Sequence, residues 1–488
     1  MSFTASLEEI VTENLSGLLS KRDHWPRVRL GEVAEIKNGI PLPSRQFIPD
    51  GQHPVVRIRN VVPGYTETYF QGEVEEDWFI EKGDLLVGMD GDFNSRRWPG
   101  PRALLNQRVC RVKPADPRLT LEYLEHVLPG YLKAVNDNTP SITVKHLSSR
   151  TISDLPIPIP PLPEQRLIVE AIDTQFSFLD SATQSLEQAK RNVERARASI
   201  LKAAVEGRLV PTEAELARKE GREYEHASGL LQRILAERKA RHEEDQKDAK
   251  RKKKYKEPVK PDTDGLPEPP EGWVWATVDQ LGAVAGGQTP KGITDIAEQS
   301  RSSGDVPWFR VGDMNTQGNE KLMRHFSTWL TAEEVAGLGL NVRPPGTIVF
   351  PKRGGAIATN KKRILSCPAS YDLNTMGVVP AGGLEAWVWH FFAGVDLGTL
   401  SDGSNIPQLN NKDIAPLLIP LPPLAEQHRI VDEIDRRFSI LDAVEATIDL
   451  NLKRCERLRQ AILKWAFEGK LVQAEPTDAE PELAEVAR

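Results

Sequence analysis

The chain has 488 residues, of which 39% are hydrophobic and 27% charged, with a formal net charge of −7. That length predicts two to four domains, each with its own core, and the composition is that of an ordinary soluble globular protein. No charge-free apolar run is long enough to cross a bilayer, and the first residues, MSFTASLEEIVTEN, are acidic where a signal peptide is basic and then apolar, so the expected location is the cytoplasm. Cys110, Cys367 and Cys455 are scattered and form no CxxC pair, which argues against a disulfide framework or a zinc site.

In chain order, residues 1–23 read as a short amphipathic helix opened by the capping box Ser6-Leu7-Glu8-Glu9. Residues 24–155 read as short strands broken by Gly, Pro and Asn, among them HPVVRIRNVVPG, GDLLVGMDGD and LLNQRVCRVKP. A proline run and a long helix fill 156–210. A charged helix and a Lys/Pro-rich linker follow over 211–270, including a basic run at Lys247–Lys256 that reads as a solvated helix face or flexible arm. Residues 271–417 form a second strand-rich region with VPWFRVGDMN, PPGTIVFPKRGG and NTMGVVP. A second proline run and helix fill 418–472, and 473–488 are an acidic tail.

The chain is a repeat. Residues 160–180 and 422–442 are identical at thirteen of twenty-one positions, including Glu164/Glu426, Gln165/Gln427, Asp173/Asp435, Phe176/Phe438 and Asp180/Asp442. The register continues without a gap to Glu206-Gly207-Arg208-Leu209-Val210 over Glu468-Gly469-Lys470-Leu471-Val472. Upstream, the segment from His24 to Gly31 aligns by eye with Val274–Gly282, Trp25 on Trp275, with one inserted residue. Apolar residues recur every seven positions in both helices, at Ile172, Leu179, Leu186, Val193 and Ile200 and at Ile434, Leu441, Ile448, Cys455 and Ile462. Sustained period-seven seams predict a coiled coil. The positions three residues further on, Gln175, Ala182, Ala189, Ala196 and Ala203 in one helix and Arg437, Val444, Asn451, Leu458 and Trp465 in the other, read as a second seam of small residues facing large ones. Pro163 suits the first turn of its helix, and the preceding run PIPIPP reads as an extended, stiff joint rather than a ligand for another protein's proline-binding groove.

The acidic average hides two basic windows. Residues 87–113 carry Arg96, Arg97, Arg102, Arg108, Arg111 and Lys113 against two aspartates, and residues 343–363 carry six basic side chains and no acid. Such windows fit local anion-binding surfaces on an acidic carrier. Catalytic signatures are absent: there is no phosphate-binding loop, zinc helix, nucleophile elbow or amino-methyltransferase motif, and GGQTPKG at Gly286–Gly292 reads as a turn.

Duplicated globular regions that end in PPLPEQ or PLPPLAEQ, followed by IVxxID and a helix end EG(R/K)LV, resemble the DNA-specificity subunit of type I restriction-modification systems, over essentially residues 1–472. PVVRIRN and GTIVFPKRGGAIATNKKRIL resemble its target-recognition segments. The resemblance implies an α+β fold of two mixed α/β target-recognition domains, separated by two long helices in an antiparallel coiled coil with internal pseudo-two-fold repeat. It implies a non-catalytic subunit that binds double-stranded DNA, each domain reading half of a bipartite site. The helices would space the halves and dock two methyltransferase subunits that use S-adenosylmethionine, and two restriction subunits using ATP and Mg would complete the nuclease.

By residue type and position the candidate DNA readers are Arg57, Arg59, Asn60, Arg96, Arg97 and Arg108 in the first region, and Arg310, Asn315, Lys352, Arg353, Asn360, Lys361 and Lys362 in the second. No metal site is expected. Two other readings stand beside this one: a coiled-coil adaptor that touches no DNA, and a single-chain enzyme, which would need a motif that the sequence lacks.

Overall fold

The computed structural model describes residues 25–139, 145–247, 254–297, 303–401, 406–468 and 470–471, together with Leu7 and Glu9. The remainder of the N-terminal helix, most of the basic run at Lys247–Lys256 and the whole of the acidic tail lie outside the described residues. The chain divides into two compact units, Met1–Gln188 with Ile448–Arg488, and Ala189–Thr447. Both are mixed α/β and each holds one of the strand-rich regions.

The first unit contains β1 (Arg27–Arg29), β2 (Ala34–Asn38), β3 (Phe47–Ile48), β4 (His53–Val56), β5 (Tyr69–Phe70), β6 (Phe79–Ile80), β7 (Leu85–Gly88), β8 (Ser95–Arg97), β9 (Ala103–Leu105), β10 (Val109–Pro114) and β11 (Pro156–Pro158). They form a four-stranded antiparallel sheet ordered β2-β10-β7-β8 and a five-stranded sheet ordered β3-β5-β4-β9-β6, in which β4 and β9 run parallel. Helix α1 (Leu121–Asp137) is started by the Thr120 hydroxyl, which accepts from the Tyr123 amide at 3.3 Å. Its apolar side, Tyr123, Leu124, Val127, Leu128, Tyr131 and Leu132, packs on Val33, Leu85, Val87 and Val112, following the helical period.

Helix α2 (Leu162–Val205) ends where Gly207 takes φ +66°, which lets the Arg208 amide reach back to the Ala203 carbonyl at 2.8 Å. A side chain at Gly207 would also meet Pro270, so the glycine of the EGRLV motif is required twice over. The linker is fastened rather than free. Helix α3 (Glu213–Glu220) opens with a Thr212/Glu215 capping box, and the nearly buried Glu213 carboxylate lies 2.6 Å from both Arg222 and Arg429. Helix α4 (Ala227–Asp245), the charged helix expected in the linker, buries Ala227, Leu230 and Ile234 and anchors Arg238 on Asp279 at 3.1 Å.

The second unit adds β12 (Val274–Thr277), β13 (Gly282–Gly286), β14 (Val306–Phe309), β15 (Leu322–Met323), β16 (Thr328–Leu330), β17 (Ile348–Pro351), β18 (Arg363–Leu365), β19 (Ser370–Tyr371), β20 (Thr375–Pro380) and β21 (Leu418–Leu421). Sheets are ordered β13-β20-β17-β18-β15 and β16-β14-β19, with β14 and β19 parallel. Helix α5 (Glu385–Gly394) packs Trp387, Val388 and Phe392 against Ile348, Phe350 and Val378. The chain then enters α6 (Leu424–Phe467).

The proline runs are strands. Ile157 stands opposite Val28 in the β1–β11 ladder, and Ile419 opposite Ala276 in the β12–β21 ladder, so each run is held by its own domain's entry strand. That pairing corrects the upstream register. Arg27 and Trp275 face the equivalent prolines Pro158 and Pro420, so the structural match of Trp25 is Trp273, with no inserted residue. Both tryptophans are buried. The shared glutamine of the hinge has a clear duty: Gln165 Nε2 donates to the Pro160 carbonyl at 2.9 Å and Gln427 Nε2 to the Pro422 carbonyl at 2.8 Å. Both glutamines are buried, where an unpaired carbonyl is costly.

In each unit a part of α2 pairs antiparallel with a part of α6. Ile168 and Ile172 share a core with Ile462, Ala466 and Phe467 in the first unit, and Leu201 and Ala204 share one with Ile430 and Ile434 in the second. Among the period-seven positions Ile172, Val193, Ile434, Ile448 and Ile462 are buried, and Leu179, Leu186, Ile200, Leu441 and Cys455 are half-buried. The second stripe lies elsewhere than predicted. Of the ten residues predicted for it, Gln175, Ala182, Val444 and Trp465 are exposed and the other six half-buried, whereas every position four residues after the first seam, such as Phe176, Arg197 and Ala204 and their repeats Phe438, Arg459 and Ala466, is buried or half-buried. A seam alternates steps of four and three, and the residues chosen from sequence took the wrong one first.

That second stripe carries one device used twice. Arg197 lies over the Phe438 ring at 5.3 Å and donates to Asp442 and Glu445 at 2.7 and 2.9 Å. Arg459 lies over Phe176 at 4.2 Å and bonds Asp180. Beside each ring stands a histidine: His126 Nε2 is 2.9 Å from Asp173, and His390 Nε2 is 3.3 Å from Asp435. Replacing Arg197 or Arg459 by Ala should cost about 1–2 kcal/mol in urea denaturation, since both a ring contact and a charge-assisted bond go. A loss below the error of the measurement would mean that the contacts are incidental.

Burial pushes the His390 pKa down, to about 4, against the pull of Asp435. The folded state therefore holds the neutral ring. Its contribution is complete above the usual histidine value of 6.5 and is lost as the pH falls from there towards the folded value. Wild type should lose about 1–2 kcal/mol more than His390→Gln between pH 7 and pH 5, measured by urea melts. Parallel curves would contradict the assignment.

Candidate nucleic-acid interface

The two strand-rich regions build one loop frame twice. In the first unit, the segments after β4, β7 and β9 are tied together: the Asn106 amide donates to the Val56 carbonyl at 3.1 Å and the Met89 amide to the Arg108 carbonyl at 3.0 Å. Residues 145–147 close the frame, with Leu147 N to Met89 O at 2.6 Å, Gly91 N to Lys145 O at 2.9 Å and a bridge between Asp90 and His146. The second unit repeats every tie: Asp372 N to Phe309 O at 3.0 Å, Lys352 N to Asn374 O at 2.7 Å, Leu409 N to Lys352 O at 2.9 Å, Gly354 N to Pro407 O at 2.8 Å, and a bridge between Arg353 and Gln408. Arg57 and Arg310 are matched as well, each capping a one-turn helix through Asn60 and Asp313.

On this frame the candidates separate. Arg59, Arg96 and Arg108 are exposed in the first unit, and Arg96 reaches the Val62 carbonyl beside the 61%-exposed ring of Tyr65. Arg108 lies 3.5 Å from Asp90 and 3.2 Å from His146. Arg57 is half-buried over the Phe47 ring and bonds Thr68, and burial lowers its pKa, so it acts first as a brace for the loop. In the second unit Arg310, Asn315 and Arg353 are exposed and Lys352 half-buried, while Lys361 bonds Asn315.

Other candidates are drawn into the fold. Asn60 is buried, accepting from the Arg57 amide at 3.0 Å and donating to the Tyr65 carbonyl at 3.0 Å, so it has no free edge for a base. Lys362 is 6% exposed and donates to the Val395 carbonyl at 2.6 Å; burial brings its pKa down to about 8. Asn360 is exposed, but it takes φ +51° and its Oδ1 is occupied, accepting from Lys362 and from the Leu397 amide. Arg97 is paired with Glu122 and Glu125. The first basic window is not one patch, because Arg102 and Arg111 also meet carboxylates distant in sequence, at Glu76 and Glu81 and at Glu35 and Asp84.

Sequence reasoning missed Asp90, His146, Asn374 and Gln408, which the frame places among these loops, and the exposed Tyr65, whose carbonyl accepts from Asn60. A repeat search confined to the helices could not find them, because insertions shift the offset between the two regions. Among the described residues no group of three or more His, Cys, Asp or Glu could hold a metal, and no helix is long and apolar enough to cross a membrane.

Replacing Asn60 by Ala should unseat its loop and cost about 1–3 kcal/mol, since a buried side chain loses its bonds to both the Arg57 amide and the Tyr65 carbonyl, whereas Arg59→Ala should leave stability within about 0.5 kcal/mol. Thermal melts of the two variants check this, and equal losses would contradict it.

The family model of the type I restriction modification DNA specificity domain matches residues 22–192 and 270–460. The chain is 31% identical to the EcoBI specificity subunit of Escherichia coli, covering 96% of this chain and 91% of that one, and 23% identical to the EcoDI specificity subunit of the same organism, covering 92% and 88%. A solved chain, from work titled as the structural basis of complex assembly and conformational transition of the type I R-M system, shares the fold with a TM-score of 0.53 at 19% identity, covering 91% of this chain and 98% of that one. With two matched domains, each on the same frame, and a relative of this identity along nearly its whole length, the chain belongs to the type I restriction-modification DNA specificity family, as a non-catalytic specificity subunit.

Proposed function

We propose that this chain reads a bipartite double-stranded DNA site, one half by each strand-rich region, and carries the enzymes that act on it. The observation that supports this most directly is the duplicated loop frame: the same backbone ties present different hydrogen-bonding side chains in the two copies. A chain that needed one surface twice would keep the side chains alike. Arginines and lysines at the loop rims would hold phosphates and set register, and polar side chains between them would meet base edges. Two weak contacts on one stiff support raise each other's effective concentration, which makes the pair tight and selective.

The support is the helix pair. At about 1.5 Å per residue, 44 residues make each helix roughly 66 Å long. Its outward side carries apolar residues that need a cover: Phe178 is 68% exposed and its repeat Ile440 54%. Identical positions on a duplicated helix suit two copies of one partner, and we assign them to two methyltransferase subunits using S-adenosylmethionine. Two restriction subunits with ATP and Mg would complete the complex.

Inserting four residues in both helices, roughly 6 Å, should change the preferred half-site spacing by about two base pairs; unchanged spacing would mean that the helices are not the ruler. Phe178→Asp and Ile440→Asp should each lower recovery of the methyltransferase subunit in co-purification by about half, and the double variant by about tenfold or more, as loss of interface anchors does. The test of the DNA reading itself is a gel shift of the assembled complex at rising salt: binding should weaken steeply as counterion release predicts. No shift at low salt, with the partner bound, would favour the adaptor.

A further inference from the structure

We infer that Asp90, Arg108 and His146 in the first region, and the matched Arg353, Asn374 and Gln408 in the second, determine which base pairs each half-site contains. The inference rests on the DNA-reading function proposed above and goes further by naming the residues that discriminate. The matching comes from backbone bonds, not from sequence. The Met89–Arg108 tie equates Arg108 with Asn374 through Lys352–Asn374, and the Asp90–His146 bridge equates this pair with Arg353–Gln408.

Around these positions three of the matched pairs are buried and keep largely apolar side chains in both copies, although the buried Met89 is matched by the half-buried Lys352. Val56 and Phe309, Leu105 and Tyr371, and Leu147 and Leu409 are matched pairs, and all six are buried. The outward triplets differ in class at all three places. The first combines a carboxylate, a guanidinium and an imidazole, and the second a guanidinium and two amides. These side chains are accessible to a ligand: side-chain exposure is 22% for Asp90, 49% for Arg108 and 41% for His146, while Arg353 is exposed and Asn374 and Gln408 are half-buried.

They are also held in place. His146 Nδ1 lies 2.6 Å from Asp90, and Gln408 Nε2 donates to Asn410 Oδ1 at 3.0 Å. A guanidinium has five N–H donors, and the contacts of Arg108 with Asp90 and His146 leave donors for a further acceptor. A positioned guanidinium with donors to spare suits base readout. Arginine matches the O6 and N7 of guanine, a carboxylate accepts from cytosine N4, and amides match adenine N6 and N7. The first triplet therefore fits a G·C pair, and the amides of the second fit an A·T pair.

The test uses the full chain co-purified with its methyltransferase subunit, and duplexes in which every base pair of the wild-type bipartite site is replaced in turn. Arg108→Gln should lose about tenfold or more of its discrimination at a G·C pair in one half, with the other half unchanged. Asn374→Asp should do the same at an A·T pair in the other half. Intact discrimination at every position, an equal loss on all duplexes, or both variants acting on the same half would overturn the assignment. A wild-type complex with no bipartite preference would instead sink the DNA-reading function on which the inference rests.

Discussion

Neither strand-rich region completes its core from its own stretch of chain. The first needs Ile462, Ala466 and Phe467 from the last turns of the second long helix, and the second needs Leu201 and Ala204 from the end of the first. Tyr123 meets Phe467 edge to face at 6.2 Å, and the apolar surface around both is out of water only while the helices stay paired. Most of the remaining architecture serves that exchange. The proline strands, buried glutamines and left-handed glycine all act at helix ends, where the direction of a long helix is set by its first and last turns.

The repeat then solves a chemical problem with one set of parts. An extended proline run leaves carbonyls without neighbouring N–H donors, and a glutamine five residues on supplies the missing donor in both copies. A helix pair whose second stripe includes arginines, with carboxylates placed to meet them, has fewer competing registers than an all-apolar one. Arg197 and Arg459 each find a ring and a carboxylate in only one alignment. Defined register in the helices is what a recognition protein needs if they are to act as a ruler.

The helices and hinges were legible in the sequence because their constraints are local and linear: a seven-residue period, a proline run and a glycine at a fixed place. Even there, the second stripe was misplaced by one residue, because Ala and Leu draw the eye and Phe176, Arg197 and Ala204 share no common type. The interface was less legible. Asn60, Asn360 and Lys362 have the residue types of DNA readers, but the backbone around them recruits their polar atoms. Arg97, Arg102 and Arg111 were counted as one basic window, yet carboxylates brought in by the fold neutralise them. Asp90 meets His146 in one unit, and Asn374 and Gln408 are joined through Lys352 and Arg353 in the other, in each case through segments that are tens of residues apart in sequence.

The central claim is that this chain alone dictates which DNA is recognised. It is tested most directly by methylome sequencing of cells that express the cognate methyltransferase subunit, with this chain present and with it deleted. The account predicts a bipartite motif, two short specified halves around an unspecified spacer, methylated only when the chain is present. A methyltransferase confirmed to be active that leaves the same methylation pattern with and without the chain would contradict it.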